Sequence, residues 1–276
     1  MKSMTEIPSS RSVALFRKKV YDHYDNHGRK LPWRKNLTPY RVLISEIMLQ
    51  QTQVERVIEK YSDFLAAFPD FPSLAQARTA KLLAVWSGMG YNRRALALRS
   101  LAGQVVNEHG GRLPKVRDEL LALPGIGNYT AGAIMAFAFN LPVVFMDTNI
   151  RRVYIHEFFQ DRTGIHDDEL LPLVDRTLDR ENPRKWYNAL MDYGTKLKRE
   201  QVNPNRRSLH YVRQSPFENS NRQVRGKILQ EFVRESRLTA AQLVKRTGCD
   251  PDRVQQNLVQ LEKEGFIRKA GRSYTV

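Results

Sequence analysis

The sequence predicts an all-α domain followed by a small C-terminal winged-helix domain, on three observations. From Ser12 to about Tyr193 the apolar residues recur at helical spacing, and alternating strand-like patterns are almost absent. Leu123-Pro124-Gly125-Ile126-Gly127 interrupts that pattern with a proline and two glycines, a tight turn that joins two apolar helices into a helical hairpin. Beyond residue 221 three short helical patterns lead into a terminal strand pair.

Taken in order, Thr38 and Pro39 form an N-cap and first-turn pair that opens one helix. The next helix places Val54, Val57, Ile58, Tyr61 and Leu65 on one face, and the two meet near Gln50 and Gln51. The first helix of the hairpin ends at Leu123 and the second begins near Tyr129. From Lys196 to Lys227 nine Lys or Arg stand against two Glu, with Pro204 and Pro216 among Asn and Ser, which reads as a basic linker with few apolar contacts. A helix from about Arg222 to Arg234 follows, then one from Thr239 to Arg246. A third is capped by Asp250 and opened by Pro251, with Val254, Leu258 and Leu261 inward. Gly265-Phe266-Ile267, Gly271 and Tyr274 to Val276 form the strand hairpin of the wing. The expected organisation is a helical domain of two lobes over residues 1–195, a linker over 196–221 and the winged helix over 222–276.

Charge narrows the partner. Lys and Arg number 45 against 29 Asp and Glu, a net charge of +16, and 41% hydrophobic residues suffice for a folded core. Such an excess favours an extended polyanion, because each neutralised phosphate releases counterions. Nucleic acid fits. A membrane does not, since no apolar run approaches the roughly 18 residues of a span and no amphipathic helix carries a lysine stripe. MKSMTEIPSS has neither the apolar core nor the cleavage site of a secretory signal. The single cysteine, Cys249, excludes an intramolecular disulfide and any site needing several thiolates. The expectation is a cytoplasmic protein, associated with the nucleoid if prokaryotic.

Three features carry possible chemistry. The glycines of Leu123-Pro124-Gly125-Ile126-Gly127, followed by Tyr129-Thr130-Ala131-Gly132, leave backbone N–H groups open at a helix start, where phosphate oxygens bind without sequence readout. The turn alone is equally an ordinary interhelical connection. Asp147 stands twenty residues after Gly127, between the apolar run Leu141 to Met146 and Thr148-Asn149-Ile150-Arg151-Arg152-Val153. By itself it reads as a helix cap. Glu46 by itself reads as a surface glutamate, although Ile44, Ile47 and Met48 beside it are apolar; burial there would keep its carboxyl protonated near neutrality.

Together these residues resemble the helix-hairpin-helix DNA glycosylases, and within them the MutY-type adenine glycosylases. The resemblance spans about Leu31 to Tyr193. It rests on Leu31-Pro32-Trp33-Arg34, Thr38-Pro39-Tyr40, Ser45-Glu46-Ile47-Met48-Leu49-Gln50-Gln51-Thr52-Gln53-Val54, Trp86-Ser87-Gly88-Met89-Gly90-Tyr91, the hairpin, and Met146-Asp147-Thr148-Asn149. It implies the helix-hairpin-helix glycosylase fold and a double-stranded DNA partner carrying a mispaired or damaged base, bound by a monomer. It implies that Glu46 protonates the adenine ring and activates water, and that Asp147, kept ionised by a helix N-terminus, stabilises a positive sugar. Asn149 would orient Asp147 or contact the backbone, a structural capping role being its other reading. Tyr129 stands where bifunctional relatives such as endonuclease III carry a lysine nucleophile, so base removal without strand cutting is implied; hairpin packing is its other role. Gln51 and Tyr91 match residues that enter the duplex near the extruded base, while Tyr91 also reads as a half-buried core aromatic. Gln50, Thr52, Arg93, Leu123, Gly125 and Gly127 complete the implied DNA contacts.

The sequence departs from that family twice. Relatives hold an iron–sulfur cluster on cysteines spaced C-x6-C-x2-C-x5-C. That spacing falls on Lys198, Asn205, Ser208 and Gln214, so no cluster and no other cofactor are expected. The linker keeps the basic character of a cluster loop through Arg199, Arg206, Arg207 and Arg213. Relatives also commonly carry a Nudix-like domain that senses 8-oxoguanine, and a winged helix stands in its place here. Arg253, Lys263, Arg268, Lys269 and Arg272 offer charge for a DNA contact, or a solvated charged face. Excision of thymine or uracil from T:G and U:G pairs is an alternative, because that branch shares the hairpin, the tyrosine and the aspartate. A non-catalytic DNA-damage-binding protein is the alternative of another class, against which the two carboxylates argue.

Overall fold

The computed structural model describes residues 8–213 and 216–276. Most of the N-terminal stretch read above, and Gln214 of the cluster spacing, lie outside the described residues. Eleven helices come first: α1 (Ser10–His27), α2 (Pro39–Leu49), α3 (Val54–Ala67), α4 (Phe71–Ala75), α5 (Thr79–Trp86) and α6 (Arg93–Glu108), then α7 (Arg117–Ala122), α8 (Asn128–Phe137), α9 (Thr148–Phe158), α10 (Asp167–Thr177) and α11 (Pro183–Glu200). A 3-10 turn at Pro204–Arg207 precedes α12 (Asn221–Arg234), β1 (Arg237–Thr239), α13 (Ala240–Thr247), α14 (Pro251–Lys263), β2 (Arg268–Ala270) and β3 (Ser273–Thr275). Among the described residues no helix is long and apolar enough to cross a membrane.

The chain divides into two compact units. One comprises the described residues up to Leu43, Lys115–Leu121 and Ile126–Arg213; the other comprises Ile44–Pro114, Ala122–Gly125 and the described residues after Arg213. In the first, α9 and α11 pack on each other and on α1, around Trp186, Tyr187, Tyr154 and Phe159. Phe16 of α1 meets Tyr154 and Trp186 edge-on, with centroids 5.5 and 5.7 Å apart, an arrangement that adds to simple area burial. Asp192 in α11 is buried and accepts both Nη groups of Arg34 at 2.8 Å and the Arg29 Nε at 2.6 Å. Burial raises that carboxyl, but the hydrogen bonds and charges of Arg34 and Arg29 outweigh it and hold it below the ordinary carboxylate range. The segment around Leu31-Pro32-Trp33-Arg34 is thereby fastened to α11.

In the second unit α3 packs on α5, with Phe64 stacked edge-on against Trp86 at 5.8 Å. The buried face of α3 is Val57, Tyr61 and Phe64, which keeps two of the expected residues and corrects the others. Ile58 is 40% exposed and Leu65 only half-buried, because a second apolar series one step round the helix faces α5. The C-terminal elements share a core of Val224, Ile228, Phe232, Leu243, Leu258 and Phe266 that also takes in Leu83 of α5. Asp250 caps α14 by accepting the Arg253 N–H at 3.0 Å, and Thr239 caps α13. The strands form an antiparallel sheet in the order β1-β3-β2, with Leu238 opposite Tyr274 and Gly271 turning the β2–β3 hairpin at φ +64°. The strand β1 was not expected from the sequence.

The segment read as a linker is structured at its start. The helix α11 runs on to Glu200 with Leu197 buried, and Pro204, Asn205 and Ser208 are buried too, which corrects the expectation of few apolar contacts. Ser208 pairs with Ile165 in a parallel bridge.

Candidate active site

The hairpin turn follows its glycines. Gly125 adopts φ +81°, and a Cβ there would sit 3.2 Å from the Ala97 Cβ. Gly127 is the extended N-cap of α8 and supplies no side-chain cap, so the first-turn amides are left without one from that position, and Gly125 and Gly127 are both exposed. Leu123 is the exception: at 2% exposure its side chain packs inward, which corrects its expected place among the DNA contacts. Tyr129, in the first turn of α8, is half-buried with its ring 5.9 Å from that of Phe145. Gly132 is required one turn later, because a Cβ there would lie 2.5 Å from the Phe145 Cβ.

Asp147 is the N-cap of α9 in extended conformation. Its Oδ1 accepts the Asn149 and Ile150 N–H groups at 2.9 and 2.7 Å, and its Oδ2 accepts the Asn149 Nδ2 at 3.1 Å. Capping and orientation by Asn149 therefore coexist. Burial pushes this carboxyl above the ordinary carboxylate range; the bonds from Ile150 and Asn149 and the Arg152 charge oppose the rise without cancelling it. This corrects the expectation that the helix N-terminus alone would favour the ionised form: desolvation is the larger effect.

A layer of residues that sequence reasoning missed stands behind Asp147. The buried Arg152 donates Nη1 to Asn149 Oδ1 and to the Gly194 carbonyl, each at 2.8 Å, and Nε to Asn203 Oδ1 at 2.9 Å. Asn205 donates Nδ2 to the Thr148 carbonyl at 2.8 Å. Gly194 permits the approach of α11 to α9, since a Cβ there would lie 2.7 Å from the Asn149 carbonyl oxygen. A glycine inside a long helix was the available signal.

Glu46 lies in α2 at 6% exposure, flanked by the buried Ser45, Ile47 and Met48. Where α2 ends, Gln50 and Thr52 are half-buried and Gln51 is exposed at φ +53°. Tyr91 is likewise exposed, at φ +45°, after Gly88 and Gly90 at φ +86° and +68°. One side chain joins the two turns. Arg94 donates Nη1 to the carbonyls of Ile47 and Met48 at 2.8 and 3.0 Å and to that of Gln50. Its Nη2 reaches Thr52 Oγ1 at 2.9 Å and the carbonyls of Met89 and Gly90 at 3.2 and 3.0 Å. Burial brings this guanidinium down to about 10. Arg94 was another residue missed, because a lone arginine in a basic chain carries no distinguishing pattern.

The expected cations separate into two groups. Arg199 and Arg206 are exposed. Arg207 instead turns inward, donating Nη2 to the Ile155 carbonyl at 3.2 Å and Nη1 to those of Phe159 and Gln160, so it closes the C-terminal end of α9. Arg93 is ion-paired to Glu264. The inward turn of Arg207 corrects the expectation of an open DNA contact, whereas Arg93 stays exposed beside its ion pair. Among the described positions of the cluster spacing, Lys198 is exposed, Asn205 holds Thr148, and Ser208 accepts the His210 N–H at 3.0 Å. This donor set offers no thiolate and does not fit an iron–sulfur cluster. Among the described residues no group of three or more His, Cys, Asp or Glu is placed to hold a metal ion.

Residues 44–171 match the family described as HhH-GPD superfamily base excision DNA repair protein. The match covers 128 of the 276 residues. Relatives include the adenine DNA glycosylase of Buchnera aphidicola subsp. Baizongia pistaciae, 37% identical over 188 residues, covering 66% of this chain and 53% of that protein. The adenine DNA glycosylase of Rattus norvegicus is 36% identical over 194 residues, covering 66% and 38%. That of Mycolicibacterium smegmatis is 42% identical over 131 residues, covering 47% and 45%. The chain thus spans about half or less of the length of these relatives. In fold it is similar to a thermostable thymine-DNA glycosylase (TM-score 0.61, 26% identity, 70% of this chain and 90% of that one). It is similar also to endonuclease III in a non-covalent DNA complex (TM-score 0.59, 17% identity, 71% and 90%). The all-helical fold expected ahead of the C-terminal elements is the one observed.

Proposed function

We propose that the protein is a monofunctional DNA glycosylase of base excision repair, hydrolysing the N-glycosidic bond of adenine mispaired with 8-oxoguanine or guanine. The observation that carries this reading is the buried Glu46 carboxyl on α2, in a chain whose relatives named adenine DNA glycosylase cover 66% of it. Glu46 donates a proton to the adenine ring as the C1′–N bond breaks and its electron pair leaves with the base. Asp147, oriented by Asn149, stabilises the positive charge left on the sugar, and water adds at C1′ after giving its proton to Glu46. A carboxylate kept out of water gains more from an approaching cation than a solvated one does, which turns the burial of Asp147 to use. Tyr129 has no amine to form a Schiff base, so the strand stays intact.

The duplex is held by the first amides of α8 beyond Gly125 and Gly127, and by the exposed Arg199 and Arg206. Gln51 and Tyr91 enter the base stack, with Gln50 and Thr52 beside them. Two non-glycine residues held at positive φ and strapped by one arginine support this, because such strain costs about 1–3 kcal/mol each and persists where surroundings impose it. In this reading residues 1–195 are the glycosylase domain, 196–221 the basic connection and 222–276 a winged helix. The protein works as a monomer without a cofactor, in the cytoplasm, on the nucleoid if prokaryotic. Thymine removal from T:G is the second reading, favoured by the likeness to a thymine-DNA glycosylase at 26% identity.

The test offers the full chain duplexes containing 8-oxoguanine:A, G:A, T:G, U:G and 8-oxoguanine:C, and scores strand breaks before and after alkali. Alkali-dependent breaks at adenine are expected, and Glu46→Gln should slow them about 10³-fold with duplex binding retained. Release of thymine alone, breaks before alkali, or an unimpaired Glu46→Gln variant would each contradict the assignment made here.

A further inference from the structure

Tyr91 is held by a part of the chain that the family match, which ends at residue 171, does not reach. Arg222, in the first turn of α12, donates Nη1 to the Tyr91 hydroxyl at 2.8 Å, and its guanidinium carbon lies 5.8 Å from the ring centroid. Arg94 approaches the same ring at 5.6 Å. A tyrosine at φ +45° does not hold that conformation on intrinsic preference, so its partners must impose it. The tie is reinforced two residues later. Arg93 pairs with Glu264 just past the end of α14, and Glu264 also takes Arg225 of α12. Burial raises the Glu264 carboxyl, but hydrogen bonds from Arg93, Gln260 and Arg225 outweigh it and hold it at about 2, so the clamp stays charged at neutral pH. Leu83 and Leu96, on the helices either side of the Tyr91 turn, pack into the core of the C-terminal elements. The turn and those elements belong to one compact unit.

We infer that the C-terminal segment is part of the duplex-opening device, with Arg222 as a positioning residue that presents the Tyr91 ring to the base stack. This rests on the reading of Tyr91 as a wedge. It separates two functions that a basic C-terminal domain would otherwise combine: Arg222 acts through a hydroxyl of this chain and not through a phosphate. Extrusion of the target nucleotide then depends on α12 even where affinity for the duplex does not.

The experiment places 2-aminopurine beside the adenine of an 8-oxoguanine:A duplex. It compares the full-length parent with Arg222→Ala, Tyr91→Phe and the double variant. Arg222→Ala should cut the extrusion-linked fluorescence rise and the single-turnover rate about tenfold. The dissociation constant should stay within about threefold, and the slope of log K against log salt should not change, because no phosphate contact is lost. Tyr91→Phe removes only one oxygen and leaves the fold intact, yet should reproduce the loss. The double variant should be no worse than either single one, since both remove the same bond. Additive losses, an unchanged fluorescence rise in Arg222→Ala, or a salt slope lowered by about one phosphate would overturn the inference. A parent that raises the fluorescence but releases no base contradicts the proposed activity and leaves the inference standing. A parent that raises no fluorescence defeats the wedge and the inference together.

Discussion

Asp147 caps α9 with a carboxylate that burial disfavours, and the two effects pull its protonation in opposite directions. A carboxyl raised in the folded state contributes stability that is fully present below its unfolded value of about 3.9 and is lost as pH rises through the folded one. Replacing it by Asn keeps a good cap and removes that loss. Asp147→Asn is therefore expected to abolish base release while melting higher than the parent at neutral pH. The gap should close in acid, below the ordinary carboxylate range. Melting curves across that range check it, and a variant less stable than the parent at neutral pH would contradict the sign. The position and cap of this residue were readable from its neighbours. Its ionisation was not, because burial comes from Arg152 and the segments packed around it.

Helix ends were legible to within a residue or two where a cap or a proline marks them, as at Thr38-Pro39, Thr239 and Asp250-Pro251. The buried face of α3 was legible only in part, at Val57 and Tyr61. Val54, Ile58, Tyr61 and Leu65 fit the helical period as well as Val57, Tyr61 and Phe64 do, and only contact with α5 chooses between them. The three-residue strand β1 is too short to show alternation and exists through its pairing with β3. At the site α11 comes close to α9 at Gly194. Gly194→Ala would press a methyl against the Asn149 carbonyl and strain the Arg152 bond to residue 194. A loss of about 1–3 kcal/mol in urea unfolding and base release slowed at least tenfold are expected. Unchanged values of both would mean that α9 yields to the methyl at no cost.

Over the whole molecule a charge of +16 indicated a polyanionic partner but treated every cation alike. The fold sorts them. Arg207 caps carbonyls, Arg225 is bound to Glu264, and Arg34 and Arg29 hold Asp192, whereas Arg199 and Arg206 remain exposed. Neutralising Arg199 and Arg206 together should lower the salt slope of duplex binding by about 0.9 for each contact and leave the fold unchanged. Arg207→Ala should instead lower the melting temperature, since it leaves the end of α9 without its donor. Titrations of labelled duplex at several salt concentrations, with melting curves alongside, distinguish the two classes. A slope unaffected by loss of the exposed pair would remove them from the DNA surface.

The hairpin glycines, the helix caps, the carboxylates at 46 and 147 and the missing cysteines were all determined by the sequence itself, because each is a matter of residue type or of spacing over a few positions. The tertiary structure alone decided which cations are free, which face of α3 is buried, how Asp147 titrates and that Arg222 clasps Tyr91. These depend on partners far apart along the chain, 51 residues for Arg152 and Asn203 and 131 for Tyr91 and Arg222. Burial and pairing are properties of what the folded chain brings alongside a residue, and a local pattern carries no record of them.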